Sequence, residues 1–237
     1  MTKLFAVVGA CIAIFSGYVY QSNPLIFGES SRKRGDDPEM QAIYDYTLYD
    51  HYPDLDDELF TLASYIGQDL GSYRNHCLRV LTFTRFFLPD LDEESLSDVM
   101  DLSATVIPYL HIGLWTGESF NFLESSEEKL EKSLGDTFPE IEMEIMRAIV
   151  LQQYKTSDYT GLRSQTGNAL VNAVRKANWV DTTMGLIRFN LPSSLLEAAY
   201  DELDGAGFHK LIWGRKKRLT ISNFLAGVME TATIVKW

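Results

Sequence analysis

Five polar residues stand inside apolar helical patterns in this chain, and together they have the makings of a metal centre. His76 shares a helix face with Val80, Phe83 and Phe87, at offsets of four, seven and eleven. His111 interrupts the apolar run "YLHIGLWTG", residues 109–117. Gln152 extends a stripe of Ile141, Ile145 and Ile149, and Asn178 and Asp181 fall on the side of Val171 and Val174. Imidazoles and a carboxylate converging inside a helical bundle suit a hard or borderline divalent metal. Such a metal lowers the pKa of a bound water and makes hydroxide available for attack. Each residue also has a plainer role. A lone His on an apolar face is a hydrogen-bonded core residue, and Gln152 is a satisfied core amide. Asp181 pairs with Arg188 or Lys176, or faces water.

Other chemistries find less support. Cys77 follows His76 directly, and adjacent helix positions point about 100° apart, which argues against a Cys–His dyad. "GAGFHK" lacks the strand–loop–helix context and the Lys-Ser/Thr ending of a phosphate loop. His51 and His209 fall between helices, where solvent exposure or capping is expected. Cys11 and Cys77 are too few for a disulfide framework or a cysteine zinc site. A formal net charge of −12 gives the chain no general attraction for nucleic acid.

The elements that must position these residues read as helices throughout, so the expected fold class is all-α. Asp37-Pro38-Glu39 starts one helix, running towards Asp50. Others are expected over Asp56–Leu70, over "YRNHCLRVLTFTRFF" and over Glu94–Tyr109. Capping boxes at Ser125/Glu128 and Ser194/Glu197 open two more. "EIEMEIMRAIVLQQY" and the long "GNALVNAVRKANWVDTTMGLIRF" lie between those two. With 237 residues, 46% of them hydrophobic, the chain is long enough for a sizeable core. The acidic, Tyr-rich "YDYTLYDHYPDLDDE" reads as a solvated helix and loop.

Both ends of the chain carry apolar stretches beside basic clusters. Residues 4–20, "LFAVVGACIAIFSGYVY", are uncharged and just long enough for a membrane-spanning helix. The expected organisation is therefore an anchor or uncleaved signal at 1–21, a linker at 22–35 and a helical domain at 36–237. With Arg32-Lys33-Arg34 following the anchor, the domain falls on the cytoplasmic side; if the segment is instead cleaved as a signal, the domain is exported. Near the other end, Arg215-Lys216-Lys217-Arg218 leads an apolar stripe of Ile221, Phe224, Leu225 and Val228. That segment is expected to pack back on the bundle. The rival is contact of Arg32–Arg34 and Arg215–Arg218 with anionic lipid.

The blocks "YRNHCLRVLTFTRFF", "LHIGLWTGESFNFL", "IVLQQYKTSDYTG", "LVNAVRKANWVDTTMGLIRFNLP" and "AGFHK", in that order, resemble the HD-domain superfamily, in the branch related to cyanamide hydratase. The resemblance spans residues 60–212. It implies an HD-domain-like helical bundle, whose active members are metal-dependent hydrolases with a cyanamide-hydrating lyase among them. Their metal motif is a His, a His-Asp pair and a distal Asp. His76, followed by Arg79, matches the first. Leu110 stands where the paired His belongs and His111 where its Asp belongs. Asn178 takes the distal Asp position, with Asp181 kept as a second acid, and Gln152 and Gln153 stand where relatives carry histidines. Arg79, Trp115 and Lys155 would line the pocket. The resemblance thus implies a degraded metal site, and the expectation is a non-catalytic protein that binds a small ligand or a partner without a cofactor. The alternative is a hydrolase or hydratase holding a divalent Zn, Fe or Mn on a shifted set of His76, His111 and Asp181.

Overall fold

Every element among the described residues is a helix, in a computed structural model that describes residues 47–88, 91–117, 122–155, 157–204 and 207–209. The helices are α1 (Pro53–Ile66), α2 (Leu70–Phe87), α3 (Glu93–Val106), α4 (Gly113–Thr116), α5 (Phe122–Leu134), α6 (Glu140–Gln152), α7 (Gln165–Thr182) and α8 (Ser193–Glu202). None of them is long and apolar enough to cross a membrane. Residues 4–20, Arg32–Arg34, the expected Asp37 helix start and Arg215–Arg218 lie outside the described residues.

The core is built around α2 and α7, which pack closely together. Each is buried nearly all round over its second half: His76 to Thr84 in α2, and Ala173 to Asp181 in α7 apart from Lys176. A helix so enclosed must bury whatever polar residues it carries, and this places His76, Arg79, Asn178 and Asp181 inside. Helix α1 packs on α2 and α3, while α5 packs on α6 and α6 on α7.

Two joints set the geometry of the site. Helix α3 ends at Val106, short of the Tyr109 expected from the sequence. Pro108 supplies no backbone donor, and its ring crowds the preceding turn. The chain tightens into a 3-10 turn over Ile107–Tyr109 and bends inward. The hydroxyl of Tyr73, on α2, donates to the Pro108 carbonyl at 2.8 Å and accepts from the His111 amide at 3.1 Å. One side chain thereby satisfies two backbone groups of the bend. Gly113 is the second joint. A Cβ there would lie 2.0 Å from the Phe122 carbonyl oxygen, so only glycine lets α4 approach α5 this closely. Its amide donates to Ser126 Oγ at 2.9 Å.

Several expected boundaries differ. Helix α5 begins at Phe122, which places Ser125 and Glu128 inside it. Ser194 lies within the first turn of α8, whose flanking residue Pro192 makes no side-chain cap. The side-chain caps are Asp92 on Ser95 and Ser164 on Gly167, at 2.9 and 3.0 Å. The long helix expected through Phe189 stops at Thr182, where Met184 (φ 53°) takes a left-handed conformation. Its amide bonds the Asp181 carbonyl and the Gly185 amide bonds the Val180 carbonyl, the paired closure of a Schellman turn. Residues 47–50 are not helical, and Tyr49 and Tyr52 pack on the core, so this end of the Tyr-rich stretch is not merely solvated.

These caps discriminate between the two serines. Ser164→Ala should lower unfolding free energy by about 1 kcal/mol in urea titrations. Ser194→Ala should stay within about 0.5 kcal/mol.

Candidate functional site

The polar residues singled out in the sequence meet where α2, the 107–111 bend, the end of α6 and the last turns of α7 converge. His76, Arg79, His111, Gln153, Asn178 and Asp181 are all fully buried or nearly so. They form two connected groups, one charged and one neutral.

The charged group centres on Asp181. Arg79 Nε donates to Oδ1 at 2.6 Å and Arg79 Nη2 to Oδ2 at 3.1 Å. His76 Nδ1 meets Oδ2 at 2.5 Å, and the Tyr200 hydroxyl donates to Oδ1 at 2.9 Å. Both carboxylate oxygens are thus engaged by at least two donors. Burial alone would raise the pKa of Asp181, but the Arg79 guanidinium and His76 outweigh it and hold the carboxyl well below its ordinary range. The expected partners Arg188 and Lys176 are not the ones used. Asp181 closes α7, at the end of the helix where the dipole disfavours negative charge, and a buried guanidinium compensates it there. The Asp181 backbone carbonyl accepts from His209 Nε2 at 2.8 Å and from the Tyr200 hydroxyl at 3.1 Å. His209, expected to be solvated or capping, is 5% exposed and takes up a carbonyl at this helix end.

The neutral group is a chain of amides and an imidazole. Asn178 Nδ2 donates to Gln153 Oε1 at 3.1 Å, and Gln153 Nε2 donates to the Leu110 carbonyl at 2.7 Å. His111 Nε2 lies 3.0 Å from Asn178 Oδ1, which accepts only, so this nitrogen carries the proton. His111 Nδ1 is left as an acceptor, 3.4 Å from the Tyr154 hydroxyl. Burial, and then the neighbouring His76, push the His111 pKa down to about 3. Burial lowers that of His76 as well, against the pull of Asp181. With its Nδ1–H given to Asp181, His76 keeps a lone pair on Nε2, and that buried atom has no hydrogen-bond partner among the described residues. Phe208 stacks on the His76 ring at 3.8 Å between centroids.

The remaining candidates sit apart from this core. Gln152 is only partly buried, and Ile141 at the head of its expected stripe is 63% exposed. Ile149 of that stripe is buried and Ile145 packs on the core, but the buried face also takes in Met143, Met146 and Val150, which leads to Gln153. Leu110 contributes its backbone carbonyl, not its side chain. Trp115 packs on Tyr73 at 4.9 Å and donates to Asp69 at 3.2 Å. The Lys155 ammonium lies over the Tyr159 ring, 5.5 Å from its centroid. Arg79 belongs to the ion pair. Sequence reasoning missed Tyr73, Tyr154, Tyr200 and Phe208, and the pairs Asn168/Leu162 and Asn172/Tyr159 that hold the 159–162 loop to α7. The four-residue spacing of Asn168 and Asn172 was the one available signal for those pairs.

The residues present do not fit a metal ion. His76, His111 and Asp181 are near one another, but Asp181 is saturated by Arg79, His76 and Tyr200, and both nitrogens of His111 face protein atoms. Among the described residues, no three His, Cys, Asp or Glu side chains are placed to share a cation. The single uncommitted nitrogen of the two imidazoles is His76 Nε2. Comparison with family models, with curated proteins and with solved structures finds no match to this chain.

Two measurements probe this core. Asp181→Asn strands a buried guanidinium and should cost about 3–5 kcal/mol in urea unfolding. The pair Arg79→Met with Asp181→Asn should recover part of that loss. The two histidines bind protons near their ordinary 6.5 when unfolded; when folded His111 does so at about 3, and His76 is also shifted downwards. The unfolded state therefore holds more protons below pH 6.5. Stability from keeping His111 neutral is complete above pH 6.5 and falls as the pH drops towards 3, by about 1.4 kcal/mol per pH unit, and His76 adds a loss of the same sign. His111→Gln should remove the His111 share of that slope.

Proposed function

We propose that this chain is a non-catalytic, HD-domain-like binding protein. Residues 4–20 hold it at a membrane, and the helical domain lies on the cytoplasmic side. The observation that carries the reading is the engagement of Asp181. An arginine and a histidine already neutralise and engage Asp181, the one fully buried carboxylate among the described residues, and amides fill the neighbouring positions. In the resembling family those positions hold charged or imidazole metal ligands. Here Asn178 bonds both Gln153 and His111, and Gln153 bonds the Leu110 carbonyl, a closed set with no formal charge. Such a set stabilises and orients the helices. It has neither the negative charge to hold a divalent cation nor an activated nucleophile.

The test is the metal content of the purified full chain, expressed with zinc, manganese and iron supplied. Metal well below one ion per chain, with no turnover of generic phosphodiesters, is expected. Stoichiometric metal that disappears in His76→Ala would overturn the reading. Restoring Leu110→His, His111→Asp and Asn178→Asp together should create metal binding if the family alignment holds.

A further inference from the structure

We propose that one edge of the Arg175 guanidinium is a binding site for a small organic carboxylate, which takes the place of the Asp158 side chain. The site is separate from the Asp181 group and stands whether or not the polar core binds metal. Arg175 is 1% exposed and Trp179 is 6% exposed. They are four residues apart on α7 and so share one side of that helix. Both reach the chain that leaves α6. Arg175 Nη1 donates to the Lys155 carbonyl at 2.7 Å, and the Trp179 and Tyr154 rings lie 5.7 Å apart between centroids. Each also buries an N–H with no hydrogen-bond partner among the described residues, Arg175 Nε and Trp179 Nε1. Such donors are costly until an acceptor reaches them.

Two other arginines show which acceptor fits. Arg74 and Arg79 each present Nε and Nη2, the two nitrogens of one edge, to both oxygens of a single carboxylate. Arg175 gives Nη2 to one oxygen of Asp158, at 3.0 Å, and leaves Nε empty. Asp158 is pinned on both sides. Arg175 itself holds the Lys155 carbonyl, and Asn172 holds the Tyr159 amide and carbonyl at 2.8 and 2.9 Å. A free carboxylate has no such tether and can lie along the whole edge. Its oxygens keep further lone pairs for the Trp179 N–H. The room it needs is what Asp158 gives up. That side chain is 72% exposed, so releasing it to water costs little. Burial lowers the pKa of Arg175 and Asp158 only opposes this, so the guanidinium gains from a closer counter-charge. Lys155 adds a second positive charge nearby, and it has no ion pair among the described residues. Tyr154 and Tyr159 are half-buried and offer ring faces to an apolar remainder, as in an aromatic acid.

The experiment follows the indole N–H signals of the isotope-labelled full chain in an uncharged detergent, with Trp179 assigned through Trp179→Phe. Sodium benzoate replaces sodium chloride at constant ionic strength. The Trp179 signal should move downfield and saturate. Asp158→Asn removes the internal competitor at an exposed position. It should keep the fold and lower the half-saturating concentration about fivefold. Arg175→Lys keeps the charge but loses the edge, and should abolish the shift. If Arg175→Lys does not fold, the direction of the Asp158→Asn change decides alone. The proposal is overturned by a Trp179 signal that benzoate leaves unmoved, by weaker binding in Asp158→Asn, or by a shift that survives Arg175→Lys. An equal or tighter response to sodium phosphate would overturn the carboxylate assignment.

Discussion

A carboxylate with no solvent exposure, at the negative end of a long helix, is the constraint around which this bundle is organised. Asp181 is tolerable there only because Arg79 reaches it from α2 with two nitrogens and His76 adds a third donor. Those contacts fix the register between the two central helices. The same guanidinium also positions the chain beyond α7. Arg79 extends its Nη1 to the Leu203 and Asp204 carbonyls, at 3.0 and 3.3 Å, and so ties the end of α8 to the same charge. It lies over the Tyr200 ring as well, 4.7 Å from its centroid. A buried pair of this kind adds little net stability over an apolar alternative, but once present it fixes its surroundings.

The neutral group beside it obeys a different logic. Amides and a neutral imidazole need no counter-charge, only matched donors and acceptors. The order Tyr154, His111, Asn178, Gln153, Leu110 carbonyl provides these, and its directions leave little choice of tautomer. The two groups touch at His76 and His111, whose ring centroids are 5.0 Å apart. The orphaned His76 Nε2 is the one place among the buried imidazoles where the accounting of donors and acceptors stays open. The reading as a binding protein and this open position are therefore compatible.

Much of this was legible in the sequence, and the rest failed for identifiable reasons. The all-helical class and most helix positions are encoded in apolar spacing. His76, His111, Asn178 and Asp181 are visible because each interrupts an apolar face. Gln152 stands out over Gln153 because it continues the spacing of Ile141, Ile145 and Ile149, although only Ile149 of that stripe is fully buried and Ile141 is exposed. Ile141 stands in the first turn of α6 and is largely exposed. Local spacing offers Asp181 only nearby partners, whereas Arg79 lies 102 residues away and only the packing of α2 on α7 brings it there. Tyr73, Tyr154 and Tyr200 are invisible because an aromatic residue on an apolar face reads as bulk, and nothing local says where its hydroxyl ends. The capping boxes mislead because a Ser-x-x-Glu spacing inside a helix is indistinguishable from one at its start until the preceding turn is known.

The hydroxyl of Tyr73 has a consequence for motion. It links α2 to the bend through one acceptor and one donor, in the middle of the core. Sliding α2 by even part of its 5.4 Å pitch would expose both backbone groups without water to receive them. The central helices therefore behave as one rigid block. A ligand or partner that reshapes this protein must act through what lies outside that block, such as the outer face of α1 or the 159–162 loop tied by asparagine amides.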